Sequence, residues 1–180
     1  PIYEILKTLY TAEEAELAAQ LPLKFKSLHG IARKLGVTED TLRPKLEAMA
    51  DKGLVLDFEL GGKMRYMLTP TVVGFFEFSM MRVREDVDQS HLAGLFHEYL
   101  LGQPDFAEQL SPDTQTSLFR TLVHEEALPE SYAEVLDWER ATWLVENAGA
   151  WAVGLCYCRH IAHHRGADCQ KFRMECCMTL

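Results

Sequence analysis

Ile2, Ile5, Leu6 and Leu9 recur at the i, i+3, i+4, i+7 spacing of an amphipathic helix. Thr11 followed by Glu14 has the form of a capping box, so a second helix starts there, runs to about Leu21 and ends before Pro22. Ser27 caps a short helix with Leu28, Ile31, Ala32 and Leu35 on one side, and Gly36 stops it. Val37 and Thr38 make a turn, and a further helix carries Leu42, Leu46, Met49 and Ala50 until Gly53. The period then changes. Residues 54–60 alternate apolar and polar, as a strand with one buried face does, and 63–68 alternate again. Gly61 and Gly62 between them permit the positive φ angles of a two-residue hairpin turn. Helix, glycine turn, helix and hairpin, in that order, predict a winged helix-turn-helix over residues 1–70.

Beyond Pro70 the chain turns apolar, with Val72, Val73, Phe75, Phe76, Phe78, Met80, Met81 and Val83. Such a Met/Phe stripe reads as helical packing against the first unit. Leu92, Leu95, Phe96, Tyr99 and Leu100 mark another amphipathic helix. Ser111-Pro112-Asp113 starts one more, with Leu118, Phe119 and Leu122 inward. Residues 71–135 are therefore expected to form a helical, acidic middle region. From 136 to 180, a last helix with Trp138, Ala141, Val145 and Ala148 leads through Gly149 into a buried strand over 150–156 that delivers a run of cysteines. The expected fold class is mainly α with a small β-hairpin.

Charge divides the chain unevenly. Residues 1–84 carry 12 basic and 11 acidic side chains, residues 85–139 carry 1 and 13, and residues 140–180 carry 5 and 3, within a total of −9. The middle repels nucleic acid and anionic membranes, so only the two ends suit a polyanion. No apolar run is long enough to span a bilayer and no secretory leader is visible, so a cytoplasmic location is expected. The lack of an initiator Met, and an end directly after a Cys pair, suggest a piece of a longer chain.

His97-Glu98 and His124-Glu125 each lack a second His four residues after the first, so neither forms a metalloprotease pair. No glycine-rich phosphate loop and no nucleophile elbow occur, and no catalytic constellation is found. The tail differs. It reads Cys156-Tyr157-Cys158-Arg159-His160, then Cys169, then Cys176-Cys177. Five cysteines cannot all pair within one chain, and all five crowd residues 156–177 with His and Arg. In a cytoplasmic protein that points to metal or redox chemistry. Thiolates are the ligand form, and Arg159, Lys171 and Arg173 stabilise them. Four thiolates suit zinc or an iron–sulfur cluster. Sulfurs around one zinc lie about 3.8 Å apart. An extended Cys-x-Cys spaces its side chains about 6.5–7 Å apart at the root. That spacing leans toward a cluster, in which each thiolate has its own iron.

The stretch Glu139-Arg140-Ala141, the run Ala152-Val153-Gly154-Leu155-Cys156-Tyr157-Cys158-Arg159-His160 and the following Cys169 and Cys176 resemble a prokaryotic family of iron–sulfur proteins. That family joins an N-terminal winged-helix-like region to a C-terminal ferredoxin-type domain. The likeness extends to Gly62-Lys63, Tyr66-Met67-Leu68-Thr69-Pro70 and Gly74-Phe75-Phe76-Glu77-Phe78, so it covers most of the chain. It implies that Cys156, Cys158, Cys169 and Cys176 ligate a 4Fe–4S cluster, and that residues 136–180 open a longer ferredoxin-type domain. Two positions depart from the family pattern: Phe172 stands where Pro is usual, and Cys177 where an apolar residue is usual. The family's further Cys-x-x-Cys-x-x-Cys runs do not occur in these 180 residues.

The expected function is thus non-catalytic electron transfer through a 4Fe–4S cluster, with zinc as the alternative metal and a redox protein as partner. Cys177 is expected outside the ligand set, because successive side chains on an extended strand diverge. The rival is a metal- or redox-sensing transcription regulator. Lys24, Lys26, Arg33, Lys34, Arg43, Lys45 and Lys52 supply charge for DNA. Against it, Glu39, Asp40, Glu47 and Asp51 flank the would-be recognition helix. Pro44 interrupts that helix unless Thr41 caps it and Pro44 lies in the first turn.

Overall fold

The computed structural model describes residues 1–102, 138–167 and 173–179. The chain is mainly helical, with two small antiparallel sheets. Helices α1 (Ile2–Leu9) and α2 (Ala12–Ala18) lead to a two-residue strand, β1 (Lys26–Ser27). Helices α3 (Leu28–Leu35) and α4 (Glu39–Asp51) follow, then the hairpin β2 (Val55–Leu60) and β3 (Lys63–Leu68). The capping chemistry explains the boundaries. The Thr11 hydroxyl accepts the Glu14 amide while the Glu14 carboxylate accepts the Thr11 amide at 2.9 Å. Ser27 Oγ accepts the Gly30 amide, and Gly36 closes α3 with φ 69°. Gly61 and Gly62 take φ 61° and 71° at the hairpin tip, a left-handed pair that a two-residue turn demands.

Four details differ from the sequence reading. Helix α2 stops at Ala18 rather than near Leu21. The cap of α4 is Thr38, whose side chain accepts the Thr41 amide, so Pro44 sits inside the helix rather than in its first turn. It leaves the Asp40 carbonyl without its usual helical donor. The alternation of the hairpin does not bury a whole face: Val55 and Tyr66 are buried, but Phe58 and Leu60 near the tip are exposed. Phe58 rests on Phe25 instead, with ring centroids 5.8 Å apart. Finally, β1 adds a third strand beside β3, in register Lys26 to Tyr66.

After Pro70 come a π-helical turn (Thr71–Phe75), a single helical turn α5 (Phe76–Phe78), α6 (Gln89–His97) and a second π-helical turn (Glu98–Gly102). One hydrophobic core runs from Ile5 to Tyr99 and joins these segments to the helices and hairpin before them. Phe76 lies at its centre, edge-on to Phe96 at 4.7 Å. Val83, in the same apolar stretch, is exposed. The helix expected from Ser111 lies outside the described residues.

The last described part comprises α7 (Trp138–Asn147), β4 (Ala152–Leu155), α8 (Tyr157–His164) and β5 (Glu175–Thr179). Ala141, Val145 and Ala148 line the more covered side of α7 and of the turn after it, whereas Trp138 is exposed. The strand expected over 150–156 forms, but it is not buried among the described residues. Val153 is 47% exposed, and Gly154, Leu155 and Cys156 are only partly covered. Helix α8 packs on α6 and α5, which fixes the cysteine segment to the core.

Candidate metal centre

The segment between α5 and α6 is the platform for this attachment. Gln89 is buried, and its side-chain amide donates to the carbonyls of Ser79 at 3.0 Å and Arg82 at 2.9 Å. Its Oε1 accepts the Arg84 amide at 3.0 Å. The two carbonyls in between receive donors from the cysteine segment. His160 Nδ1 lies 2.8 Å from Met80 O, and the Leu155 amide donates to Met81 O at 2.7 Å. Four successive carbonyls, 79 to 82, are therefore all satisfied, as buried backbone requires. Gly154 allows the close approach: a Cβ there would meet Met81 Cε at 3.1 Å and Met81 O at 3.2 Å.

Cys156 follows β4 and occupies the residue before α8, and its own amide donates to Met174 O at 2.7 Å. Burial raises its thiol pKa. Opposing this, the backbone at Arg159 and Cys158 and the neighbouring Cys177 and Cys176 thiols lower it, and the net direction is below the ordinary thiol value. The N–H groups at the start of a helix favour an anion. Arg159 Nη1 donates to Cys176 Sγ at 3.1 Å and to Arg173 O at 2.5 Å. One guanidinium thus ties the start of α8 to the start of β5.

Strand β5 pairs with β4 with Gly154 opposite Cys177 and Leu155 opposite Glu175. The register shift makes Cys176 an extra residue in the strand. Such a bulge re-aims side chains, and here both Cys176 and Cys177 reach Cys156. The divergence expected of neighbouring strand residues is removed locally. Cys177 is nevertheless a different thiol, pushed above its ordinary value by burial and then by Cys156. Tyr157 is raised as well, by burial first and then by the Cys158 thiol, so its hydroxyl remains a proton donor.

Of the four expected ligands, the structure brings Cys156 and Cys176 together and places Cys158 on the first turn of α8, exposed. Cys169 lies outside the described residues. Among the described residues, no group of three or more His, Cys, Asp or Glu side chains is placed to hold a metal ion. The fit to a thiolate-bound metal group is therefore one of donor chemistry: a depressed thiol at a helix start and an arginine on a second sulfur. Sequence reading missed Gln89, and it named His160 as part of the tail without its anchoring role. Neither belongs to a periodic pattern, and a lone buried Gln or His leaves no local signature. No described helix is long and apolar enough to cross a membrane. Compared with known proteins, the chain matches no family model, no curated protein and no solved structure.

Proposed function

We propose that this chain holds a 4Fe–4S cluster at the start of α8 and serves electron transfer in the cytoplasm, passing electrons to a partner protein without catalysing a reaction itself. The observation that carries this reading is the Arg159–Cys176 contact of 3.1 Å at the start of α8, beside a Cys156 thiol held below its ordinary value. Cys156, Cys158 and Cys176 would hold the group, with Cys169 as the fourth ligand. The cluster would supply reversible one-electron chemistry. Arg159 and the backbone N–H groups at the start of α8 would spread its negative charge and raise its potential. Zinc is the alternative occupant of the same thiolates.

Anaerobic purification, an absorption spectrum and iron and sulfide analysis test this directly. The expected result is broad visible absorbance with about four irons and four sulfides per chain, as a 4Fe–4S centre requires. Stoichiometric zinc without iron, or no metal at all, would overturn it.

The order α3, turn, α4 and hairpin favours one second reading, a winged-helix regulator that senses metal or redox state through the tail. The surface of α4 argues against DNA. Asp40, Glu47 and Asp51 are exposed there. Lys45 is paired with Glu13, and Lys52, just past the helix end, with Glu14 at 2.7 Å. Two cations available for phosphates are already engaged, and a docking role toward protein suits this surface better.

A further inference from the structure

Helix α8 carries a second pair of metal-type side chains, made of nitrogen rather than sulfur. His160 and His164 stand one turn apart, and their Nε2 atoms approach to 3.1 Å with the rings 4.7 Å apart between centroids. The Met80 carbonyl, 2.8 Å from His160 Nδ1, can only accept, so Nδ1 carries the proton. His160 Nε2 must then present a lone pair toward His164. A backbone carbonyl on one ring nitrogen, fixing the tautomer and aiming the other nitrogen, is the usual outer support of a metal-bound imidazole.

We propose that His160 and His164 form a chelate for a divalent transition cation, of the class of zinc, nickel or cobalt, separate from the cysteine site. With metal–nitrogen distances of about 2.0–2.1 Å, nitrogens 3.1 Å apart subtend an angle of about 98° at the metal. That lies between octahedral and tetrahedral values, so little rearrangement is needed. In the metal-free pair, His164 donates its Nε2 proton to His160 Nε2. On binding, that proton leaves and Nδ1 of His164 takes one up from solvent, so no net proton is released and both Nε2 lone pairs face the cation. His160 is buried while His164 is half-buried. Water reaches the metal from the His164 side and fills the remaining positions, since no third described His, Cys, Asp or Glu joins the pair. The Asp88 carboxylate acts on His164 electrostatically and adds a negative field favourable to a cation. Hard cations such as calcium and magnesium select oxygen ligands and would not compete.

Zinc titrated into the reduced, 15N-labelled 180-residue chain, followed by long-range 1H–15N spectra of the imidazoles, provides the test. Thiolate-bound zinc does not produce the imidazole signature, so the cysteine site is read separately. The Nε2 resonances of His160 and His164 should move together and saturate with one zinc beyond any held by the thiolates. His164→Ala should weaken the zinc response of His160 by roughly tenfold or more, because a linked second ligand acts at high effective concentration. His164→Gln serves as the second variant should the first fold poorly. Unshifted imidazoles at millimolar zinc, a response from only one ring, or an unchanged His160 response in the variants would overturn the proposal.

Discussion

The His160 ring donates from Nδ1 to the Met80 carbonyl at 2.8 Å, joining residues 80 apart in sequence. Both residues are buried, Met80 completely. Removing the donor strands a carbonyl away from water, which costs about 1–3 kcal/mol. His160→Leu should therefore lower stability by that order in urea unfolding. His160→Asn, whose side-chain amide can replace Nδ1–H, should recover part of the loss. Equal stability of the two variants would show that the contact contributes shape rather than a hydrogen bond.

Gly53 and Gly36 both end helices with positive φ, 76° and 69°. They differ in what surrounds them. A Cβ at Gly36 meets nothing within 4 Å, whereas one at Gly53 would lie 2.7 Å from Phe78 Cβ. Gly36→Ala should cost about 1–2 kcal/mol from backbone conformation alone. Gly53→Ala should add about 1–3 kcal/mol from overpacking. Denaturant midpoints of the two variants, compared side by side, measure the difference.

Asp86 receives Nε and Nη2 of Arg84, a guanidinium that is itself buried and also donates to the Lys52 carbonyl at 3.1 Å. The Arg84 hydrogen bond, against some burial, holds the Asp86 carboxyl at about 2. Its unfolded value is about 3.9. A depressed carboxyl contributes stability above the unfolded value and loses it as pH falls through the folded one. Asp86→Asn should thus be less stable than the parent at pH 6, with the gap closing between about pH 4 and pH 2. Because the Asp86 side chain is 50% exposed, solvent screening keeps the gap smaller than the shift alone implies. A gap independent of pH would remove the ion pair from the explanation.

Replacing Cys156, Cys158, Cys169 or Cys176 by Ser, one at a time, should remove most bound iron and visible absorbance. Cys177→Ser should leave both largely intact, although Cys177 touches Cys156. The seven-position step from Cys169 to Cys176 matches the pattern of the family that the tail resembles, which leaves Cys177 outside the ligand set. Loss of iron on replacing Cys177 would place it in the ligand set through the bulge at Cys176.

The isolated chain should show no tight, sequence-specific DNA binding. Thirteen acidic and one basic side chain between 85 and 139, together with the paired Lys45 and Lys52, account for this. Gel-shift titration near physiological salt is the check, and any residual binding should fall steeply as salt rises. Nanomolar, sequence-selective binding would move the regulator reading ahead of electron transfer.

The features legible in the sequence were those set by neighbours along the chain. Thr11 with Glu14, Ser27, Gly36, Gly53 and Gly61-Gly62 each bound an element because caps and left-handed turns need particular residues within three or four positions. The crowding of Cys156, Cys158 and Cys176 was visible for the same reason. Burial along the hairpin was not, because alternation shows which face could be covered and not how far the core reaches. Phe58 and Leu60 lie beyond it. Nor was the bulge that turns Cys176 and Cys177 toward Cys156, since a register depends on the partner strand. The anchoring of Met80 and Met81 by His160 and Leu155 was decided only by the tertiary structure. A backbone carbonyl exists at every position, so no residue type marks which ones a distant side chain will reach.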